Sequence, residues 1–172
     1  MDTHASSLKR LHDLLKSTPA FAGICDNAKC LEALGAWFKE VTFKKHEKIM
    51  TEGETGDQAY VLVSGTLSVL KTTLDGETYK VASLSSEVHP FFGEGTLLDS
   101  DPRSATIVAE SDCVCLALSR QDFESFCAQH PAWALPILHQ ITQSVFQRLR
   151  KANQDLLLLH RALIAEIRGQ TN

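Results

Sequence analysis

The chain has 172 residues, 44% of them apolar and 22% charged, with a formal charge of -4. That length accommodates one domain with an appended helix and a sizeable core. The acidic balance gives no support to a general nucleic-acid binder, and no run approaches the ~20 apolar residues of a membrane helix. The N-terminus carries no apolar signal core, so a soluble, cytoplasmic protein without membrane insertion is expected. The five cysteines (Cys25, Cys30, Cys113, Cys115 and Cys127) are odd in number and lack CxxC spacing, which reads as reduced thiols.

Residues 5–40 show helical period. Leu8, Leu11, Leu14 and Leu15 mark a first helix, interrupted at Ser17-Thr18-Pro19. Leu31, Leu34, Trp37 and Phe38 mark a second, with Asp26 or Asn27 as its cap. From Val41 to about Leu118, short runs of Val, Ile, Thr, Leu and Tyr alternate with turn residues. Strands are predicted over Ala59 to Ser64, Thr66 to Thr73, Glu77 to Leu84 and Ala105 to Leu118, with a hairpin turn at Asp75-Gly76. Cys113 and Cys115 fall on one face of the last strand. Many short strands at regular spacing indicate a sandwich, jelly roll or barrel.

Helical period returns at Ser119, where Ser119-Arg120-Gln121-Asp122 resembles an N-cap box. After a helix carrying Phe123, Phe126 and Cys127, a long helix is predicted over about Trp133 to Glu166. Leu138, Thr142, Val145, Leu149, Ala152, Leu156, Leu159 and Leu163 form a heptad seam on it. The seam fits a parallel homodimer, and a monomer whose helix folds back on its own domain is the alternative. Three zones follow, residues 1–40, 41–118 and 119–172, which together make one domain.

Residues 92–108 carry the chemistry. Gly93 and Gly95 permit tight backbone around Glu94. One helical turn at Gly95 to Leu98 aims unpaired N–H groups at an anion. Pro102 stiffens the approach to Arg103, whose five-donor fork suits phosphate and which opens the last strand. Ser104 adds a hydroxyl. A carboxylate at Glu94, beside an anion site, is useful if it accepts from a sugar hydroxyl while pairing with a basic group. The ligand thus expected has a phosphate and a free ribose hydroxyl close together, as a 3′,5′-cyclic nucleotide does.

The run Phe92-Gly93-Glu94, Gly95-Thr96, Leu97-Leu98, Pro102-Arg103, Ser104-Ala105-Thr106 resembles the phosphate-binding cassette of cyclic nucleotide-binding domains. That family includes catabolite activators, regulatory subunits of cyclic-nucleotide-dependent kinases and gated channels. Gly53-Glu54, Asp57, Tyr60-Val61-Leu62, Gly65 and Leu67-Ser68-Val69 agree with its first hairpins, and the likeness covers about residues 12–165. It implies a mainly β fold, a β-roll or jelly roll (double-stranded β-helix), with N-terminal helices and a long C-terminal helix. It implies that Glu94 takes the ribose 2′-OH and Arg103 the exocyclic phosphate oxygens. Ser104 and the backbone near Gly93, Gly95 and Thr96 would complete the cradle. Polar residues midway along the long helix contact the purine in bacterial members, which points here to Asn153. The chain departs from the pattern at Thr96, where a smaller residue is usual, and in Ser85 to Phe91, which replaces a Gly-Asp.

The seven histidines are scattered singly and offer no metal site, and no nucleophile–base pair is legible, so neither enzyme activity nor a cofactor is expected. Arg148, Arg150 and Lys151 read as a solvated helix face or a docking surface. No helix-turn-helix module follows Leu163, so direct DNA binding is not expected. The resulting reading is a sensor for cAMP, in preference to cGMP, that signals through its helices and dimer seam to a protein effector it does not identify. The rival is an interaction scaffold with a retired pocket.

Overall fold

The computed structural model describes residues 11, 13–24, 26–100 and 102–169. Of the residues read above, Leu8, Cys25, two of the seven histidines (His4 and His12) and Asp101 of the 92–108 segment lie outside these. Residues 13–17 are helical, and the 3-10 turn Pro19–Ile24 and helix α1 (Ala28–Gly35) follow. Asn27 caps α1, its side-chain oxygen accepting from the Cys30 N–H at 3.0 Å. Trp37 and Phe38 lie just past the end of α1 and pack against the core from there.

Eight strands come next: β1 (Lys39–Phe43), β2 (Lys48–Met50), β3 (Gln58–Ser64), β4 (Thr66–Thr72), β5 (Thr78–Ser85), β6 (Phe91–Phe92), β7 (Thr106–Ala109) and β8 (Cys113–Ser119). The β4–β5 hairpin closes where expected, with Gly76 at φ +86° and the Thr73 N–H donating to Glu77 O at 2.8 Å. Helices α2 (Arg120–Gln129) and α3 (Pro131–Gly169) follow. Ser119 caps α2 by accepting from the Asp122 N–H at 3.0 Å.

The strands form two antiparallel four-stranded sheets, ordered β1-β8-β3-β6 and β2-β7-β4-β5. The fold is therefore a mixed α/β one, a β-sheet core with flanking helices. The expected β-roll or jelly roll is not formed, because neither sheet closes. On one edge, β6 pairs with β3 over only two residues before Gly93, at φ +71°, turns the chain out of extended backbone. Between β1 and β2, His46 at φ +71° breaks the run in the same way. An alternating sequence specifies which face of a strand is buried and says nothing about whether sheet edges join.

The two faces are sorted by period. Along β3, Ala59 and Val61 meet the helices in one buried cluster, while Tyr60 and Leu62 meet the second sheet in another. Along β8, Leu116 and Leu118 join the helical cluster, and Cys113, Cys115 and Ala117 the inter-sheet one. Both thiols on the inter-sheet face thus act as small apolar groups, and burial pushes that of Cys115 up to about 12. Tyr60 and Phe92 belong to this core, stacked at 5.5 Å between centroids.

The predicted single strand from Ala105 to Leu118 is two strands, divided at residues 110–112, and the chain passes there from one sheet to the other. Ile107, Ala109, Cys113 and Cys115 all face the inter-sheet core. Alternation therefore continues in phase through the corner and conceals it. Helix α3 docks through the buried Ala134, Ile137 and Ile141, with Trp133 and Leu138 partly buried against the same core; none of the described residues 142–168 is buried. The seam residues Val145, Leu149, Leu156, Leu159 and Leu163 are exposed, so the helix does not fold back along its own domain.

Candidate functional site

A tight loop between β6 and β7 builds the site. Gly93 initiates the 3-10 turn Glu94–Leu97, one residue earlier than the sequence indicates. The Thr96 N–H donates to Gly93 O at 3.3 Å, and the Leu98 and Asp99 N–H groups donate to Gly95 O at 3.0 Å. The turn geometry leaves the N–H groups of Glu94 and Gly95 without partners inside it. Thr96 is buried, and its hydroxyl donates to Gly56 O. The extra bulk at this position is thus used to fasten the turn to the 55–57 loop. Gly95 is exposed, with open space where a Cβ would stand.

Arg103 lies in the loop ahead of β7 rather than in the strand, anchored there by backbone. Its N–H donates to Glu54 O at 2.8 Å, and its carbonyl accepts from the Gly53 N–H at 2.9 Å. Its guanidinium is half-buried and donates from Nη2 to Gln58 O at 2.7 Å and from Nη1 to Gly93 O at 3.2 Å. Two glycines admit it. A Cβ at Gly56 would stand 2.5 Å from Nη2, and one at Gly93 2.9 Å from Nη1. Burial lowers the Arg103 pKa, with Tyr60 and Asp57 acting in the opposite sense. Among the described residues it has no carboxylate in ion-pair contact. A partly desolvated cation oriented by carbonyl dipoles has the chemistry to receive an anion.

Glu94 sits one residue from the carbonyl that holds Arg103, and its side chain is only 6% exposed. It forms an ion pair with Arg148 of α3. The basic partner anticipated for this carboxylate is therefore a residue that the sequence reading left on a solvated or docking face. A signal was present: Arg148 follows Ile137 and Ile141 by eleven and seven residues, which returns it to their buried face of the helix.

Arg120 also escaped notice. Its Nε donates to Thr96 O at 2.5 Å, its Nη2 to Thr96 Oγ1 at 3.3 Å and to Asp99 O, and its N–H to Asp57 O at 2.7 Å. It occupies the first position after the Ser119 cap, and so ties the start of α2 to the turn. A cleft of about 550 Å³ opens between the 55–57 loop and the start of α2, and neither Glu94 nor Arg103 lines it.

Gly93, Glu94, Gly95, Thr96 and Arg103 are thus brought together in one loop system. Ser104 follows it as an exposed residue. Asn153 is not brought to it: it is exposed on α3, five residues past Arg148, which turns it roughly 140° away around the helix. Among the described residues no group of three or more His, Cys, Asp or Glu side chains is placed to hold a metal ion, and no helix is long and apolar enough to cross a membrane.

Residues 40–130 match the family described as the cyclic nucleotide-binding domain. A protein from Thermus thermophilus, "Cyclic AMP receptor protein", is 30% identical over 145 residues, which are 84% of this chain and 63% of that protein. A "cAMP-dependent protein kinase regulatory subunit" from Dictyostelium discoideum is 36% identical over 89 residues, 51% of this chain and 27% of that one. The crystal structure of Thermus thermophilus catabolite activator protein superposes with a TM-score of 0.72 at 30% identity, covering 83% of this chain and 63% of the other. The chain thus spans less than two thirds of the length of each of these relatives. A glycine-framed turn with a buried carboxylate, an arginine that no carboxylate among the described residues pairs with, and a family match across both have one reading: the chain belongs to the cyclic nucleotide-binding domain family.

Proposed function

We propose that this protein is a regulatory sensor, not an enzyme, whose ligand is a cyclic nucleotide, cAMP in preference to cGMP. Arg103 carries the proposal: a half-buried guanidinium, already oriented by Gly93 O and Gln58 O, has no carboxylate in ion-pair contact among the described residues and lies next to the buried Glu94. In this reading Arg103 holds the exocyclic phosphate oxygens, with the N–H groups at Glu94 and Gly95 aimed at the same anion. Glu94 accepts from the ribose 2′-OH, and Gly93 and Thr96 hold the turn in shape. Ser104 adds its hydroxyl from the rim. A purine contact by Asn153 requires the long helix to turn, because in the present arrangement that side chain faces away. The names of the two curated relatives favour cAMP.

A second copy of the chain covers the exposed seam of α3 in this proposal. Leu149, Leu156 and Leu159, which are 53%, 65% and 68% exposed, would be its contacts. Ligand binding changes the balance between two packings of the helices only by favouring one of them, and an effector protein in the cytoplasm would read that change.

Calorimetric titration of the full chain with cAMP and cGMP tests the reading. Saturable micromolar binding that is abolished in Arg103→Ala and weakened in Glu94→Ala is the expected result. A folded wild-type protein that binds neither nucleotide would overturn it and leave an interaction scaffold. Light scattering on the same sample, with and without Leu156→Lys, reports whether the seam pairs two copies.

A further inference from the structure

Helix α3 exposes more apolar side chains than a paired seam would cover. Leu157 and Ile164 each lie one residue after a seam position, Leu156 and Leu163, and are exposed as well. His160 and the exposed Ile167 fall in line with them, at spacings of three and four. One residue is about 100° of helix, so these side chains form a second row beside the first. We propose that the second row is an interface with a second pair of copies, making a four-helix bundle around residues 157–164. The inference rests on the paired seam proposed above and adds a contact that the seam does not use.

A two-stranded coiled coil needs only the narrow stripe of its a and d positions, and a wider stripe belongs to a helix with more than one neighbour. The angle of about 100° between the rows is close to the right angle between the two neighbours of a helix in a square bundle. Leu156 adjoins Leu157 and Leu163 adjoins Ile164, so the two rows make one continuous apolar surface. An identical helix carries the same row and matches it in length and polarity. Two pairs therefore cover each other's second rows with no other partner, and the assembly closes as a dihedral tetramer.

Polarity along the row fixes its direction. Before Leu157 the row holds Arg150 and Asn153, both exposed. Four helices aligned in parallel would gather the Arg150 side chains inside the bundle, and burying unpaired charge is costly. An antiparallel overlap that sets Leu157 against Ile164 of the other pair leaves Arg150 and Asn153 at or beyond its edge. His160 is the polar member within the overlap and lies beside its own copy, where one neutral imidazole can donate to the other. Symmetry agrees. A parallel pair has its two-fold axis along the helices, and the perpendicular axes of a dihedral tetramer make the two pairs antiparallel.

Sedimentation equilibrium of the full chain and its variants reads the outcome. Wild type is expected at the mass of four chains, and Leu157→Lys should lose that species and fall to two. Leu158 is the matched control: it is 62% exposed against 59% for Leu157, but lies about 100° further round, outside both rows. Leu158→Lys should stay at four chains. Mixing Leu157→Lys with Ile164→Glu sets opposite charges face to face in the antiparallel register and should restore the four-chain species. Wild type at two chains, Leu157→Lys still at four, Leu158→Lys falling to two, or a mixture that stays at two would each overturn the inference and leave the paired seam intact. Wild type at one chain would overturn both.

Discussion

Gly56→Ala separates the orientation of Arg103 from its presence. The added Cβ would lie 2.5 Å from Nη2, 2.7 Å from Nε and 2.9 Å from Cζ of Arg103, and the backbone at Gly56 needs no positive φ. The clash is with the far end of a flexible side chain, so the guanidinium moves and the fold persists. Its displacement breaks the 2.7 Å bond to Gln58 O, which costs about 0.5–1.5 kcal/mol. The reduced freedom of the unfolded chain with alanine restores about 0.4–1 kcal/mol, so stability should change by less than about 1 kcal/mol. Binding has no such compensation. Misaligned charge-assisted hydrogen bonds to a phosphate forfeit about 1.5–3 kcal/mol, or roughly 10- to 150-fold in Kd. Calorimetry with cAMP at fixed salt, alongside urea unfolding, measures both quantities. Gly76→Ala supplies the contrast: its hairpin φ of +86° penalises alanine by about 1–2 kcal/mol, far from the site, so it should lose stability and keep affinity. Cyclic AMP affinity within about threefold of wild type in Gly56→Ala would refute the claim that this guanidinium, in this orientation, receives the phosphate.

Two further outcomes test the scaffold. Phe126 is fully buried on α2 in the cluster that joins the helices to β3 and β8, so Phe126→Ala should destabilise by about 3–5 kcal/mol in urea unfolding. A loss under about 1 kcal/mol would mean that the helices do not pack on that sheet as described. In Glu52, the hydrogen bond from Lys71 and then that from the Thr72 N–H hold the carboxyl below its ordinary value of 4.5. A depressed carboxyl contributes stability that is present above its unfolded value and lost as pH falls through the folded one. Thermal stability should therefore decline below about pH 4.5, and Lys71→Met should flatten that decline. An identical pH profile in Lys71→Met would show that the pair contributes nothing.

Elements and local chemistry were legible in the sequence because both rest on interactions between near neighbours. Asn27 and Ser119 cap their helices, Asp75-Gly76 turns its hairpin, and Cys113 and Cys115 share a buried face, each through hydrogen bonds or alternation spanning a few residues. Gly93, Glu94 and Arg103 could be proposed together for the same reason, since one short loop and its residue types contain them. Three features were decided by tertiary structure. The sheets remain open, because closure depends on edge strands meeting in space, and Gly93 and His46 turn the chain away first. The strand from Thr106 onwards breaks at residues 110–112, a corner that in-phase alternation hides. Arg148 reaches Glu94 across fifty-four positions of sequence. Local pattern can place that arginine on the inward face of its helix, but which carboxylate waits opposite depends on how far the helix extends past its last buried residue, Ile141.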